Sequence, residues 1–156
     1  MNETEKRRGD RAREAFPQGY NCSQSVVIAF ADLLEPGEET LLQIASSFGG
    51  GMGRMREVCG AVSGMLMILG LKYGYNTPET GTLKAEHDRR VQEVCRRFRE
   101  KHGSIICREL LGLPEGPDSP EPTPRTAAFY QQRPCAEIIR DAAEIMEQWI
   151  REQDYK

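Results

Sequence analysis

The segment from Val58 to Tyr73 is apolar on nearly every face of the helix it would form. A helix of that kind is stable only at the centre of a protein, with other elements laid around it. The longest apolar stretch of the chain, roughly Ala61 to Leu71, falls short of the ~20 residues a bilayer crossing takes. Gly60 and Gly64 stand four apart on it. One ridge therefore lacks side chains, and a second helix can come close there.

The rest of the chain supplies helices to wrap this one. Cys22 to Leu34 carries Val26, Val27, Phe30, Leu33 and Leu34 at the i, i+3, i+4, i+7 spacing of an amphipathic helix. Glu38 to Phe48 repeats the pattern with Leu41, Leu42, Ile44, Ala45 and Phe48. Thr77 as N-cap and Pro78 at the first helical position open a helix to about Lys101, with a thin stripe of Leu83, Val91, Val94 and Phe98. Ser104 caps a short helix through Leu111. Pro134 opens the last, whose stripe runs from Ile138 and Ile139 to Trp149 and Ile150. Residues 1–9 read as a flexible tail, followed by a short helix bearing Ala12, Ala15 and Phe16. Residues 112–134 hold six of the nine prolines and read as a long irregular loop, of the kind that serves as a lid or binding loop. No alternating strand pattern occurs. The expectation is all-α: one domain over residues 1–156, a bundle of six to seven helices around Val58–Tyr73.

Charge narrows the function. The net charge of -3 argues against nucleic-acid binding, which needs clustered Lys and Arg. Arg89, Arg90, Arg96, Arg97 and Arg99 alternate with Glu86, Asp88, Glu93 and Glu100, which describes a solvated helix face. The N-terminus reads Met-Asn-Glu-Thr-Glu-Lys-Arg-Arg with no apolar stretch behind it, so no secretory signal is expected. The chain reads as cytoplasmic, without a membrane span, and the thin stripe of residues 77–101 leaves room for a homodimer interface.

Five cysteines stand out: Cys22, Cys59, Cys95, Cys107 and Cys135. An odd number in a reducing compartment argues against a static disulfide scaffold and for metal binding or redox work. No pair has the C-x-x-C spacing of a zinc ribbon or a thioredoxin-type site. On the expected helices, Cys22, Cys59, Cys107 and Cys135 all fall at or near an N-terminus, where unpaired N–H groups and the helix dipole favour a thiolate. Cys95 sits in mid-helix beside Val91 and Phe98 and reads as a small buried hydrophobe. The run Gly49-Gly50-Gly51-Met52-Gly53-Arg54 cannot hold a stable helix. It lacks the Gly-Lys-Ser/Thr ending of a P-loop, so it reads as a turn between closely packed helices that borders the cysteines.

Cys59-Gly60-Ala61-Val62-Ser63-Gly64 forms a CGAxxG motif. Gly19-Tyr20-Asn21-Cys22 stands upstream of it, and Gly103-Ser104-Ile105-Ile106-Cys107 and Cys135-Ala136 stand downstream. The ordered set resembles the C_GCAxxG_C_C family of redox-active proteins over roughly residues 10–150. The resemblance implies that Cys22, Cys59, Cys107 and Cys135 are the family's four cysteines, that Cys95 is extra, and that the chemistry is redox or cluster chemistry. Three readings follow. The four thiolates could converge as metal ligands on an iron–sulfur cluster or a zinc ion. Alternatively, two of the four, as catalytic cysteines, could form a reversible disulfide. Cys59 is then the favoured attacker, because Gly60 leaves room for a substrate and Arg54 and Arg56 could stabilise its thiolate. The third reading is a non-catalytic helical binding module or redox sensor, whose partner docks on residues 112–134. Enzyme status, redox partner and small-molecule substrate stay open.

Other residues give weaker signals. His87 reads as a partly buried, satisfied histidine and His102 as a cation favourable at a helix C-terminus. Met52, Met55, Met65 and Met67 read as core filling. Ser63 has no nearby His or Asp in the sequence to activate it.

Overall fold

The computed structural model describes residues 6–79 and 81–156. Among these it contains eight α-helices of five residues or more. They are α1 (Arg8–Ala15), α2 (Cys22–Ile28), α3 (Glu38–Ala45), α4 (Gly60–Tyr73), α5 (Leu83–His102), α6 (Cys107–Leu111), α7 (Ala127–Gln132) and α8 (Cys135–Asp154). The all-α expectation holds. The helix beyond the expected count is α7, inside the proline-rich stretch, where Thr126 caps it by accepting from the Phe129 amide.

Helix α4 is the centre. Ala61, Val62, Met65, Ile68 and Leu69 are fully buried on it, and α2, α5 and α8 pack around it. Burial is strongest over its first turns; near its end Leu71 is 44% exposed. Helix α8 lays the whole expected stripe against the core, from Ile138 to Ile150. Helix α1 lies along α8 and also touches α2.

The glycine ridge of α4 receives α2. A Cβ at Gly64 would lie 2.9 Å from Val26 Cβ and 3.0 Å from the Ser23 carbonyl oxygen. One at Gly60 would lie 3.0 Å from Cys22 Cβ and 2.9 Å from the Phe48 carbonyl oxygen. The room beside Gly60 is thus filled by α2 and the chain before the glycine run, and a substrate has none there.

Several boundaries differ from the sequence reading, each for a local reason. Helix α2 stops at Ile28 because Arg8 donates to the Ala29 carbonyl at 2.9 Å and pairs with both oxygens of Asp32. Helix α3 stops at Ala45, where the Ser46 hydroxyl bonds back to the Gln43 carbonyl, and Ile44 faces solvent. Helix α5 begins at Leu83, not at Pro78. The Thr77 hydroxyl oxygen accepts from the Glu79 amide in a local turn that competes with helix, and Thr80 lies outside the described residues. Of the expected tail, residues 1–5 lie outside the described residues, whereas Arg8 and Gly9 already belong to α1.

The packing of α2 on α4 generates a prediction. Gly64→Val should overpack a contact that has no free space and lower stability by about 1–3 kcal/mol. A urea titration should show a lower midpoint at unchanged slope; an unchanged midpoint would refute the close approach.

Candidate functional site

Four cysteines meet at one end of the bundle through four helix starts. Cys22 is the first residue of α2, held by a capping box in which Asn21 and Gln24 exchange side-chain and backbone hydrogen bonds. Cys59 is the residue that caps α4. Cys107 opens α6 and Cys135 opens α8 after Pro134. Two short backbone segments clamp the middle pair: the Cys59 amide donates to the Ile105 carbonyl at 2.8 Å, and the Cys107 amide to the Glu57 carbonyl at 2.6 Å. Val58 and Ile106 thereby form an isolated antiparallel bridge. Cys95 stays apart on α5, half-buried.

The glycine run is what lets these segments come together. From Gly50 to Arg54 five successive residues have φ between +62° and +69°, and Arg56 follows at +61°. A left-handed run is rare for L-residues, costing each non-glycine roughly 1–2 kcal/mol, and the three glycines in it avoid that cost. At Gly51 there is no space either: a Cβ would lie 2.7 Å from Cys107 Cβ and 2.7 Å from the Glu57 amide nitrogen. The run therefore does border the cysteines, and it brings Arg54 and Arg56 to them in a strained backbone.

Those two arginines do not serve Cys59. Arg56 is 5% exposed; its Nη1 lies 3.7 Å from Cys107 Sγ, and its Nε and Nη2 lie 3.1 and 3.0 Å from Asp118. Arg54 donates to the Ser119 carbonyl at 2.6 Å and to the Thr123 hydroxyl at 3.1 Å. Its own carbonyl accepts from the Asp118 amide. The proline-rich segment is thereby tied down as a roof over the cysteines. Arg125 ties its far end, donating to the Phe16 and Tyr20 carbonyls at 2.7 and 3.0 Å.

Protonation divides the four thiols unequally. Helix N-termini favour thiolates, but three of the four are raised, and burial is the largest cause at two of these, Cys59 and Cys107. Burial pushes Cys59 up to about 12, against the pull of the Ala61 and Val62 amides. Burial also raises Cys107, although Arg56 draws it down. Cys22 is raised well above an ordinary thiol, first by its hydrogen bond to Cys135 and then by burial. Cys135 alone is lowered, to about 7. The hydrogen bond from Cys22 is the largest cause, and the charges of Arg133, Arg56 and Arg125 add to it against burial. The two thiols titrate together, so the pair gives up its first proton more readily than Cys59 or Cys107, and the arginines favour the charge on Cys135.

A cleft of about 460 Å³ opens beneath the roof, and both Cys22 and Cys135 line it. Cys59 and Cys107 do not line it and are 6% and 7% exposed. Among the described residues, no three His, Cys, Asp or Glu side chains are grouped so as to hold a metal ion.

The sequence reading missed Arg125, Arg133 and Asp118. Arg133 was findable, two residues before Cys135; Arg125 and Asp118 lie among prolines without a motif. The remaining candidates fall away from the cleft. The buried Nδ1 of His87 has no partner among the described residues, and its ring meets Tyr75 edge-on. His102 lies 3.1 Å from Asp141. Met65 is buried while Met52 and Met55 are exposed, so the methionines form no common group. The basic run on α5 is a solvated, paired face, with Arg96 bonded to Glu93 and Glu100 and Arg97 to Glu93 and Glu152. No helix among the described residues is long and apolar enough to cross a membrane.

An uncharacterized protein of Archaeoglobus fulgidus is 28% identical over 151 residues, which cover 93% of each chain. No solved structure matches. The family model described as "Putative redox-active protein (C_GCAxxG_C_C)" matches residues 20–149, a span that contains all four helix-start cysteines. The chain belongs to the C_GCAxxG_C_C family.

Proposed function

We propose that the protein is a dithiol–disulfide redox protein in which Cys135 is the nucleophile and Cys22 resolves the mixed disulfide. One observation carries this reading: Cys22 and Cys135, which interact with each other, both line an open cleft that Cys59 and Cys107 do not reach, and the arginines beside Cys135 lower its thiol. A thiol with a pKa close to ambient pH combines a useful thiolate fraction with retained nucleophilicity. Cys59, favoured from the sequence, is a poor attacker by the same measure, because it is buried and protonated.

The step balances with a disulfide as oxidant. The Cys135 thiolate attacks one sulfur, the substrate S–S bond breaks, and one half leaves as thiolate. Cys22 then attacks Cys135 Sγ, gives up its proton to the medium or to a released thiolate, and frees the second half. Two electrons pass from the protein to the substrate, and a Cys22–Cys135 disulfide forms. The reverse sequence would reduce the protein. Each thiol starts at a helix N-terminus, so both are presented on rigid elements. The arginines around Cys135 favour its anionic form and would likewise favour a departing thiolate.

Peptide mapping after oxidation with diamide tests the pairing. A Cys22–Cys135 disulfide is expected first, and Cys22→Ser should trap a mixed disulfide on Cys135. A Cys59–Cys107 disulfide forming first, or no intramolecular disulfide, would refute it. Alkylation adds a second expectation. Iodoacetamide at neutral pH should modify Cys135 first and Cys59 last in the folded protein, as quantified by mass spectrometry; early modification of Cys59 would contradict the assigned protonation states.

A further inference from the structure

The charged side chains that line the cleft are all cationic: Arg54, Arg56, Arg125 and Arg133. No Asp or Glu lines it. Asp118, outside the lining, partly offsets Arg56 at 3.0 Å and Arg54 at 3.7 Å. Arg125 and Arg133 form no ion pair among the described residues. The guanidinium of Arg125 bonds neutral carbonyls and stacks over Phe16, 4.5 Å from its centroid. That of Arg133 lies over Phe129 at 5.4 Å. Carbonyls and rings fix a guanidinium in place without cancelling its charge. Four arginines against one carboxylate and one thiolate leave the cleft cationic.

Such surplus is not the least needed to hold one thiolate. Arg125 and Arg133 stand on the outer side, on the roof and just before α8, where a bound molecule would meet them. Guanidiniums recognise carboxylates through paired, parallel hydrogen bonds. The size of the cleft lies within the ~300–1,000 Å³ usual for small-molecule sites. Phe16, Phe129, Pro120 and Pro122 give it an apolar wall for the remainder of a ligand.

We infer that the oxidant or product taken by this cleft is a small anionic disulfide, bearing carboxylates that pair with Arg125 and Arg133 while its S–S bond faces Cys135. The inference rests on the dithiol reading above and adds the chemical class of the substrate to it. The exchange is the one already written, with two carboxylate-bearing thiols as products.

Three disulfides of similar size separate the two levels of the claim. The reduced full-length protein is mixed with 3,3′-dithiodipropionate (a dianion), bis(2-hydroxyethyl) disulfide (neutral) or cystamine (a dication), and the rate of protein oxidation is followed. The dianion is expected to react at least about tenfold faster than the dication at low salt. The gap should shrink as ionic strength rises and the Debye length falls to a few ångströms. Arg133→Gln should narrow the dianion-to-dication ratio, and Arg133→Lys should keep most of it. The ratio is the proper readout, because a changed thiolate fraction alters both rates alike. Equal rates for all three reagents, or a ratio untouched by Arg133→Gln, would overturn the anionic class while leaving the dithiol reading intact, since the neutral disulfide still oxidises the pair. Failure of all three reagents to oxidise Cys22 and Cys135 would overturn both.

Discussion

The contact of α2 with the bare ridge of α4 positions the site. Without side chains at Gly60 and Gly64, Cys22 and Ser23 sit directly against the first turns of α4, and the α2 N-terminus lands beside the N-terminus of α8. That juxtaposition couples Cys22 to Cys135, so that the ionisation of one depends on the other. Overpacking at the ridge would shift the whole of α2, and the thiol pair with it, because packed cores yield little to added volume. The same tight contact accounts for the depth of Cys59, which lies on the covered side of the junction.

Two opposed forces then sort the thiols. Burial disfavours every thiolate; helix N-termini and arginines favour it. Cys59 has amides but no arginine, and burial prevails. Cys107 has Arg56 and is still raised. Cys135 has a hydrogen-bond donor in Cys22 and three arginines, and only there does charge win. The arginines are held at a cost. Arg54 and Arg56 occupy left-handed backbone, and the roof segment and Cys107 secure their side chains in return. Strain of this kind persists where surrounding contacts over-determine it, and it clusters at functional sites.

Much of this was legible in the sequence. The apolar segment Val58–Tyr73 could only be a central helix, and the Ile138–Ile150 stripe could only face it. Gly60 and Gly64 announced a close helix contact, and the helix-start position of Cys22, Cys59 and Cys135 followed from Asn21, the glycine run and Pro134; Ser104, read as the cap before Cys107, instead accepts from the Ile106 amide in a local turn, and Ile106 is the capping residue. Pairing was not legible. The charge on Cys135 depends on Arg125, which reaches the site from a stretch of prolines with no periodicity, and on the neighbouring Cys22, which is distant in sequence. Nor could periodicity reveal that five successive residues take left-handed backbone, because glycine permits that conformation without requiring it. Cys59 looked the most reactive because Arg54 and Arg56 are near it in sequence; in the fold those side chains turn to Cys107 and Asp118 instead.

The proposed chemistry needs a thiolate on Cys135 near neutral pH, favoured by the neighbouring Cys22 and the arginines. The ultraviolet absorbance of thiolate, followed against pH in the reduced protein, tests it directly. A folded-state pKa below that of a free thiol means the thiolate persists until pH falls through that value. One thiolate per chain should therefore appear as pH rises through about 7. It should be absent from Cys135→Ser and should move to higher pH in Cys22→Ala, which removes the donor. A wild-type protein that gains its first thiolate only near the ordinary thiol value of 9.0 would contradict the account.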